Sequence, residues 1–202
     1  MKTILLIRHS EPIKDRTMPT AELPLSERGS RKAQELFSLK TFHSVQAVYT
    51  SPYRRATSTA EKLRAHFYMD ERLRERELGN PNTLNEAFWS RQYEDYNYKN
   101  DGGESLNETK ERMTAVMCEI LSTMQDGDTV AVVSHAAAIC AYLLNWCTIE
   151  VMDTQKKLRK ITYQGSIVVN GSIAAPSAFV LEFENEHLSR MKYLDKEDSC
   201  NR

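Results

Sequence analysis

Three short apolar runs in the first two thirds of the chain end on residues that can hold an anion or attack one. "TILLIRHSEP" (3–12) places Arg8 and His9 directly after Ile4 to Ile7. "SVQAVYT" (44–50) leads into Ser51, Arg54 and Arg55, and "DTVAVVS" (128–134) leads into His135. Each run has the composition of a buried strand. In a parallel sheet ligands gather beyond the carboxyl ends of the strands, because helix N-termini and loops converge there. Two histidines and at least two arginines brought to one rim make an anion pocket.

The elements between these runs support that arrangement. Ser26 is placed to cap a helix carrying Ala33, Leu36 and Phe37 on one side, and "SPYRRATSTA" opens with Ser51 as a cap and Pro52 at the first helical position. Ser105 and Glu108 form a capping box ahead of the stripe Met113, Val116, Met117, Ile120, Leu121 and Met124, which reads as core. Strands alternating with helices imply an α/β fold, a three-layer α/β/α sandwich with a mostly parallel central sheet. Beyond about residue 145 the pattern changes to successive strands, with "ITYQGSIVV" (161–169) and "SAFVLEFE" (177–184) as an antiparallel edge. They either close the sheet or form the edge of a homodimer. No repeat or flexible linker divides the chain, so residues 1–202 read as a single domain. A polar, aromatic excursion at 80–103, with helix in its middle, is expected over the active face.

Composition narrows the function classes. The chain has 202 residues, with 27 Lys and Arg against 28 Asp and Glu, a net charge of -1. That balance implies no general affinity for nucleic acid or anionic membrane, so an anion site must be local. No apolar run approaches the roughly 18 residues of a membrane span, and Ile4–Ile7 is too short for a signal-peptide core, so a cytoplasmic protein is expected. Cys118, Cys140, Cys147 and Cys200 form no CxxC pair and read as reduced thiols, the first three as buried small hydrophobes. No HExxH, carboxylate-rich calcium loop, GxGxxG, P-loop or GxSxG is present, and no metal or cofactor is implied.

The order of "LIRHS", "LSERG" (25–29), "SPYRRATSTA" (51–60), "LRERELG" (73–79), "GES" (103–105) and "VVSHAA" (132–137) resembles the histidine phosphatase superfamily, which includes cofactor-dependent phosphoglycerate mutases and many small phosphatases. The resemblance covers residues 3 to about 140 and implies a phosphoglycerate mutase-like fold. It implies that His9 is the nucleophile that becomes phosphorylated, and that Arg8 and Arg55 bind the phosphoryl oxygens. It further implies that His135 is the second histidine of the pocket and Glu75 the proton donor. Arg55 is matched in preference to Arg54 because it directly precedes Ala56, and Glu77 reads as a surface carboxylate. Ser10 and Ala136 complete the phosphate-binding set, the latter through backbone N–H groups at a helix start.

Physical chemistry agrees with those roles. A neutral imidazole can attack phosphorus and divide the transfer into two displacements, the second completed by water. Arginine offers planar, permanently charged donors that suit phosphate. A protonated His135 would add another donor. The leaving alkoxide needs a proton from a carboxylic acid, which then accepts one from the attacking water.

The chain departs from the resemblance at three positions. Ser10 and Ala136 stand where glycine usually follows each histidine, and Asp15 stands where many members carry a phosphate-touching asparagine. Asp15 is expected to turn away or to pair with Lys14 or Arg16, and the loop from Glu11 to Pro24 to shape substrate preference. Mutases of the family carry a long insertion between the "LRERELG" and "GES" positions, and here that stretch is short. The implied activity is a histidine acid phosphatase-type phosphomonoesterase acting on a small phosphate ester. The alternatives are a mutase-type phosphotransferase and an inactive phosphate-binding scaffold.

Overall fold

The computed structural model describes residues 1–195. Cys200 lies outside them. Strand β1 (Lys2–Arg8) is fully buried from Ile4 to Ile7. Ile4 and Leu6 join one core with helices α4 (Leu106–Thr123) and α5 (Ala136–Leu143), whereas Leu5 and Ile7 join a second core with α1 (Glu27–Phe37) and α2 (Arg54–Ala60). A strand apolar on both faces is what a sheet covered by helices on both sides requires. The result is the expected three-layer α/β/α sandwich.

The remaining strands of the central sheet are β2 (Val45–Thr50), β3 (Phe67–Met69), β4 (Thr129–Ser134), β8 (Ser177–Glu184) and β9 (His187–Leu194), in the order β3-β2-β4-β1-β8-β9. The first four in that order run parallel, while β8 is antiparallel to β1 and β9 to β8. Arg8 lies opposite Ser134, and Thr50 opposite Val133. The carboxyl ends of β1, β2 and β4 are therefore level, and His9, Ser51 and His135 follow them on one rim.

Beyond α5 the chain builds a separate antiparallel sheet of β5 (Cys147–Asp153), β6 (Leu158–Tyr163) and β7 (Ser166–Gly171). "ITYQGSIVV" is thus not one strand but a hairpin. Gln164 and Gly165 at its tip have φ of 48° and 78°, the paired left-handed geometry of a two-residue turn matching the strand twist.

Two caps form as expected. Ser26 Oγ accepts from Gly29 N at 2.9 Å, and Ser105 with Glu108 makes the full capping box. The third does not: α2 begins at Arg54 with Tyr53 as N-cap, and Ser51 Oγ, which accepts from Tyr53 N at 3.2 Å, lies ahead of the helix on the rim. Met113, Val116, Met117, Ile120, Leu121 and Met124 are all core. Cys140 and Cys147 are buried, but Cys118 is exposed, because it falls on the outer side of α4. The 80–103 segment does contain a helix, α3 (Glu86–Glu94), capped by Asn85. Among the described residues no helix is long and apolar enough to cross a membrane.

Candidate active site

His9 leaves β1 with its N–H bonded to Ser134 O at 3.0 Å, which fixes the residue beside the end of β4. Its Nδ1 lies 2.7 Å from Ser10 O, and Arg55 Nε donates to its Nε2 at 3.0 Å. A carbonyl only accepts and a guanidinium only donates, so Nδ1 carries the proton and Nε2 presents its lone pair to Arg55. Burial, with Arg55 and Arg8 adding like charge, holds the His9 pKa down to about 3. The ring is neutral at physiological pH, the state in which a nitrogen can act as nucleophile.

Arg55 is buried on the first turn of α2. Its Nη1 donates to Thr20 O at 2.6 Å, and its guanidinium stands 4.9 Å from the centre of the Tyr53 ring. Arg54, beside it, is exposed and 3.5 Å from Glu61, as a surface cation would be. Arg8 bonds through Nη1 to Ile173 O in the linker between β7 and β8, and its Nε is buried with no protein partner among the described residues.

His135 is fully buried at the N-cap of α5, with its ring centre 4.9 Å from that of His9 and 5.1 Å from Tyr53. Its Nε2 lies 2.8 Å from Ser51 Oγ. Burial and then the neighbouring His9 and Arg55 push its pKa well below the usual histidine value. The expected imidazolium is therefore a neutral ring here, since no carboxylate contacts it to offset desolvation.

Glu75 reaches the same rim from the segment after β3. Its Oε1 accepts from Arg76 N at 3.0 Å and Ala138 N at 3.1 Å, so one carboxylate oxygen sits on the N-terminus of α5. The "GES" stretch holds that segment in place. Glu104 takes Arg112 through two bonds, of 2.7 and 2.9 Å, and Arg74 at 3.0 Å, while Arg112 Nη1 donates to Arg72 O and Arg74 O. Gly79 and Gly103 permit the contact: a Cβ on Gly79, whose φ is 71°, would lie 2.4 Å from Asp101 O. Glu77 is exposed and pairs with Arg74, as a surface carboxylate does.

Ser10 does not sit as the sequence suggested, whereas Asp15 is occupied locally. Ser10 is fully buried, but its hydroxyl donates to Gly29 O at 2.7 Å and its N–H to Thr59 Oγ1 at 3.0 Å. Its polar groups tie the loop to α1 and α2 instead of facing a ligand. Asp15 Oδ1 accepts from Thr17 N at 2.8 Å and Thr17 Oγ1 at 2.7 Å, and these bonds lower its pKa. The carboxylate is occupied in a local turn, held by Thr17 and not by Lys14 or Arg16.

Ala136 and Ala137, whose N–H groups lack intrahelical acceptors at the start of α5, border a cavity of about 1310 Å³ together with Arg8 and Glu75. The same cavity is lined by Arg76, next to Glu75 in the chain, by Gln92 and Tyr93 of α3, and by Arg159 of β6. Sequence reading missed these four. Arg76 lay within a recognised motif, but its burial shows only in the fold; Arg159 follows a turn of exposed lysines and carries no local signal. Among the described residues no three His, Cys, Asp or Glu side chains are grouped as metal ligands would be.

The chain is 26% identical over 198 residues, covering 94% of its length and 98% of the relative, to a Bacillus subtilis (strain 168) protein described as the uncharacterized phosphatase PhoE. Its fold is similar to Bacillus stearothermophilus YhfR, with a TM-score of 0.65 at 21% identity over 94% of this chain and 96% of that one. It is also similar to a mycobacterial glucosyl-3-phosphoglycerate phosphatase, with a TM-score of 0.63 at 19% identity over 95% of each chain. A phosphoserine phosphatase mutant from Entamoeba histolytica in complex with phosphoserine gives a TM-score of 0.65 at 19% identity over 95% of this chain and 97% of that one. Residues 4–168 match the profile of the histidine phosphatase superfamily, branch 1. With the two histidines, the arginines and the glutamate gathered on one rim, and most of its length matched, the chain belongs to the histidine phosphatase superfamily.

Proposed function

We propose that the protein is a phosphomonoester hydrolase working through a phosphohistidine on His9, with Glu75 as proton donor. The observation that carries this reading is the His9 ring itself. It is neutral, fixed in one tautomer by Ser10 O, and aims the Nε2 lone pair at an arginine on the sheet rim. The described phosphatase from Bacillus subtilis and the fold shared with phosphatases acting on small esters point the same way.

A bound phosphoryl group takes the Arg55 donors that now rest on His9 and the charged fork of Arg8, which frees the Nε2 lone pair. Nε2 then attacks phosphorus in line with the ester oxygen. The N–P bond forms, the P–O bond breaks, and the alkoxide leaves with the Glu75 proton. Water attacks the phosphohistidine with Glu75 as base, the N–P bond breaks, and phosphate departs. Charge on the phosphoryl oxygens is met throughout by Arg8, Arg55 and the N–H groups at the start of α5. His135 contributes one N–H donor as a neutral ring and gains a proton more readily once the dianion is beside it.

The test is phosphate release from p-nitrophenyl phosphate in EDTA, for the wild type, His9→Ala and Glu75→Gln. The expected outcome is metal-independent turnover, lowered at least about 1000-fold by His9→Ala. Glu75→Gln should accumulate an acid-labile phosphoenzyme, since nitrophenolate leaves without an acid but water still needs a base. Formation of 2-phosphoglycerate from 3-phosphoglycerate with little free phosphate would instead establish a mutase.

A further inference from the structure

The cavity is larger than a phosphoryl group requires, and its cations are not spent on carboxylates. Arg76 is only 4% exposed; its Nε donates to Glu104 O at 2.9 Å, its Nη1 bonds Gln92 Oε1, and its Nη2 is buried with no partner among the described residues. Arg159, on β6, donates from Nη1 to Cys140 Sγ at 3.3 Å and hydrogen-bonds the Tyr93 hydroxyl. Both line the cavity that also holds Arg8 and Glu75. By contrast, Lys32 in the same wall is paired with Glu11, and Lys156 lies 4.0 Å from Asp153.

Arg159 is near enough to Arg8 for each to disfavour the other's charge, and Glu75 is near enough to both to favour it. Glu75 thus shares one cavity with Arg8 and Arg159. Arg159 is half-buried against a thiol and a phenol and forms no ion pair among the described residues, so its charge is open to an anion in the cavity. The phosphoryl end is already served by Arg8 and Arg55.

We propose that Arg159 and Arg76, together with the Tyr93 hydroxyl, form a second anion subsite that selects phosphate esters carrying a carboxylate on the leaving group. This rests on the reading of Arg8, His9 and Arg55 as the phosphoryl site. Two planar guanidinium edges and a hydroxyl suit the two in-plane oxygens of a carboxylate. The proposal also gives a role to the two parts of the chain without motifs, since α3 supplies Gln92 and Tyr93 and the β5–β7 sheet supplies Arg159.

Binding separates this from turnover. On the His9→Ala protein, calorimetry would compare 3-phosphoglycerate with glycerol 3-phosphate, and 4-carboxyphenyl phosphate with 4-carbamoylphenyl phosphate. In at least one pair the carboxylate ester should bind about tenfold or more tightly. Arg159→Gln should bring the two Kd values together, and Arg159→Lys should keep part of the preference. Arg159 is chosen because it lies on a half-buried hairpin, whereas loss of Arg76 from the interior threatens folding. A preference in neither pair, or one that survives Arg159→Gln, overturns the subsite whether or not p-nitrophenyl phosphate is hydrolysed. Carboxylate preference without hydrolysis of any ester by the wild type supports the subsite and overturns only the hydrolase reading.

Discussion

His9 and His135 are neutral in the folded protein because burial outweighs every interaction that would favour their charge. The same fact sets a pH dependence of stability. The folded pKa of His9 lies below its usual 6.5, so the unfolded chain binds more protons than the native one in the window from about 6.5 down to about 3. Stability is therefore intact above that window and falls as the pH drops into it, by about 2 kcal/mol for His9 at pH 5, with His135 acting in the same direction. Carboxylates held low by their arginines, such as Asp70 beside Arg72, keep their stabilising contribution down to the usual carboxylate range and lose it only as the pH falls further. Urea midpoints at pH 7 and pH 5 should differ accordingly for the wild type, and the difference should shrink in His9→Gln. Ser10 and Asp15 carry a second lesson at this scale. Type and position suggested phosphate contact for Ser10 and a turned or paired carboxylate for Asp15; the partners they have are Gly29 and Thr59 for the first and Thr17 for the second.

The motifs that align with the family turn out to be joints between elements as much as chemical groups. In "LSERG", Ser26 caps α1 and bonds Glu11 O, and Gly29 lets α1 rest on the backbone that follows His9. A Cβ on Gly29 would lie 2.1 Å from Glu11 O, and backbone cannot swing aside as a side chain can. Gly29→Ala should therefore cost about 1–3 kcal/mol in chemical denaturation and lower turnover by displacing the loop that carries Ser10. The "LRERELG" and "GES" stretches work as one unit through Glu104, Arg112 and Arg74, and that unit delivers Glu75 to the first turn of α5. Helices α1 and α4 were legible because caps and apolar stripes are local. The start of α2 was not, since Ser51 Oγ meets both Tyr53 N and His135 Nε2 and the helix begins only at Arg54.

At the scale of the molecule the protein has a deeply buried central sheet and a lighter three-stranded sheet standing over the cavity. The small sheet is mostly exposed or half-buried along all three strands, whereas β1 and β4 are core. Its backbone amides should exchange with solvent faster than those of β1 and β4. Inorganic phosphate should slow the exchange around Ile173, because its carbonyl is tied to Arg8. Hydrogen exchange with and without phosphate measures both effects. The sequence by itself determined the alternation of strands and helices, the parallel sheet and the residues at its rim. Apolar runs, caps and the ordered motifs are all written in neighbouring positions. Only the tertiary structure decided that Ser10 turns from the site, that His135 is neutral, and that Arg76 and Arg159 share a cavity with Arg8. Each of these depends on desolvation or on contacts between residues far apart in the chain, which no local pattern encodes.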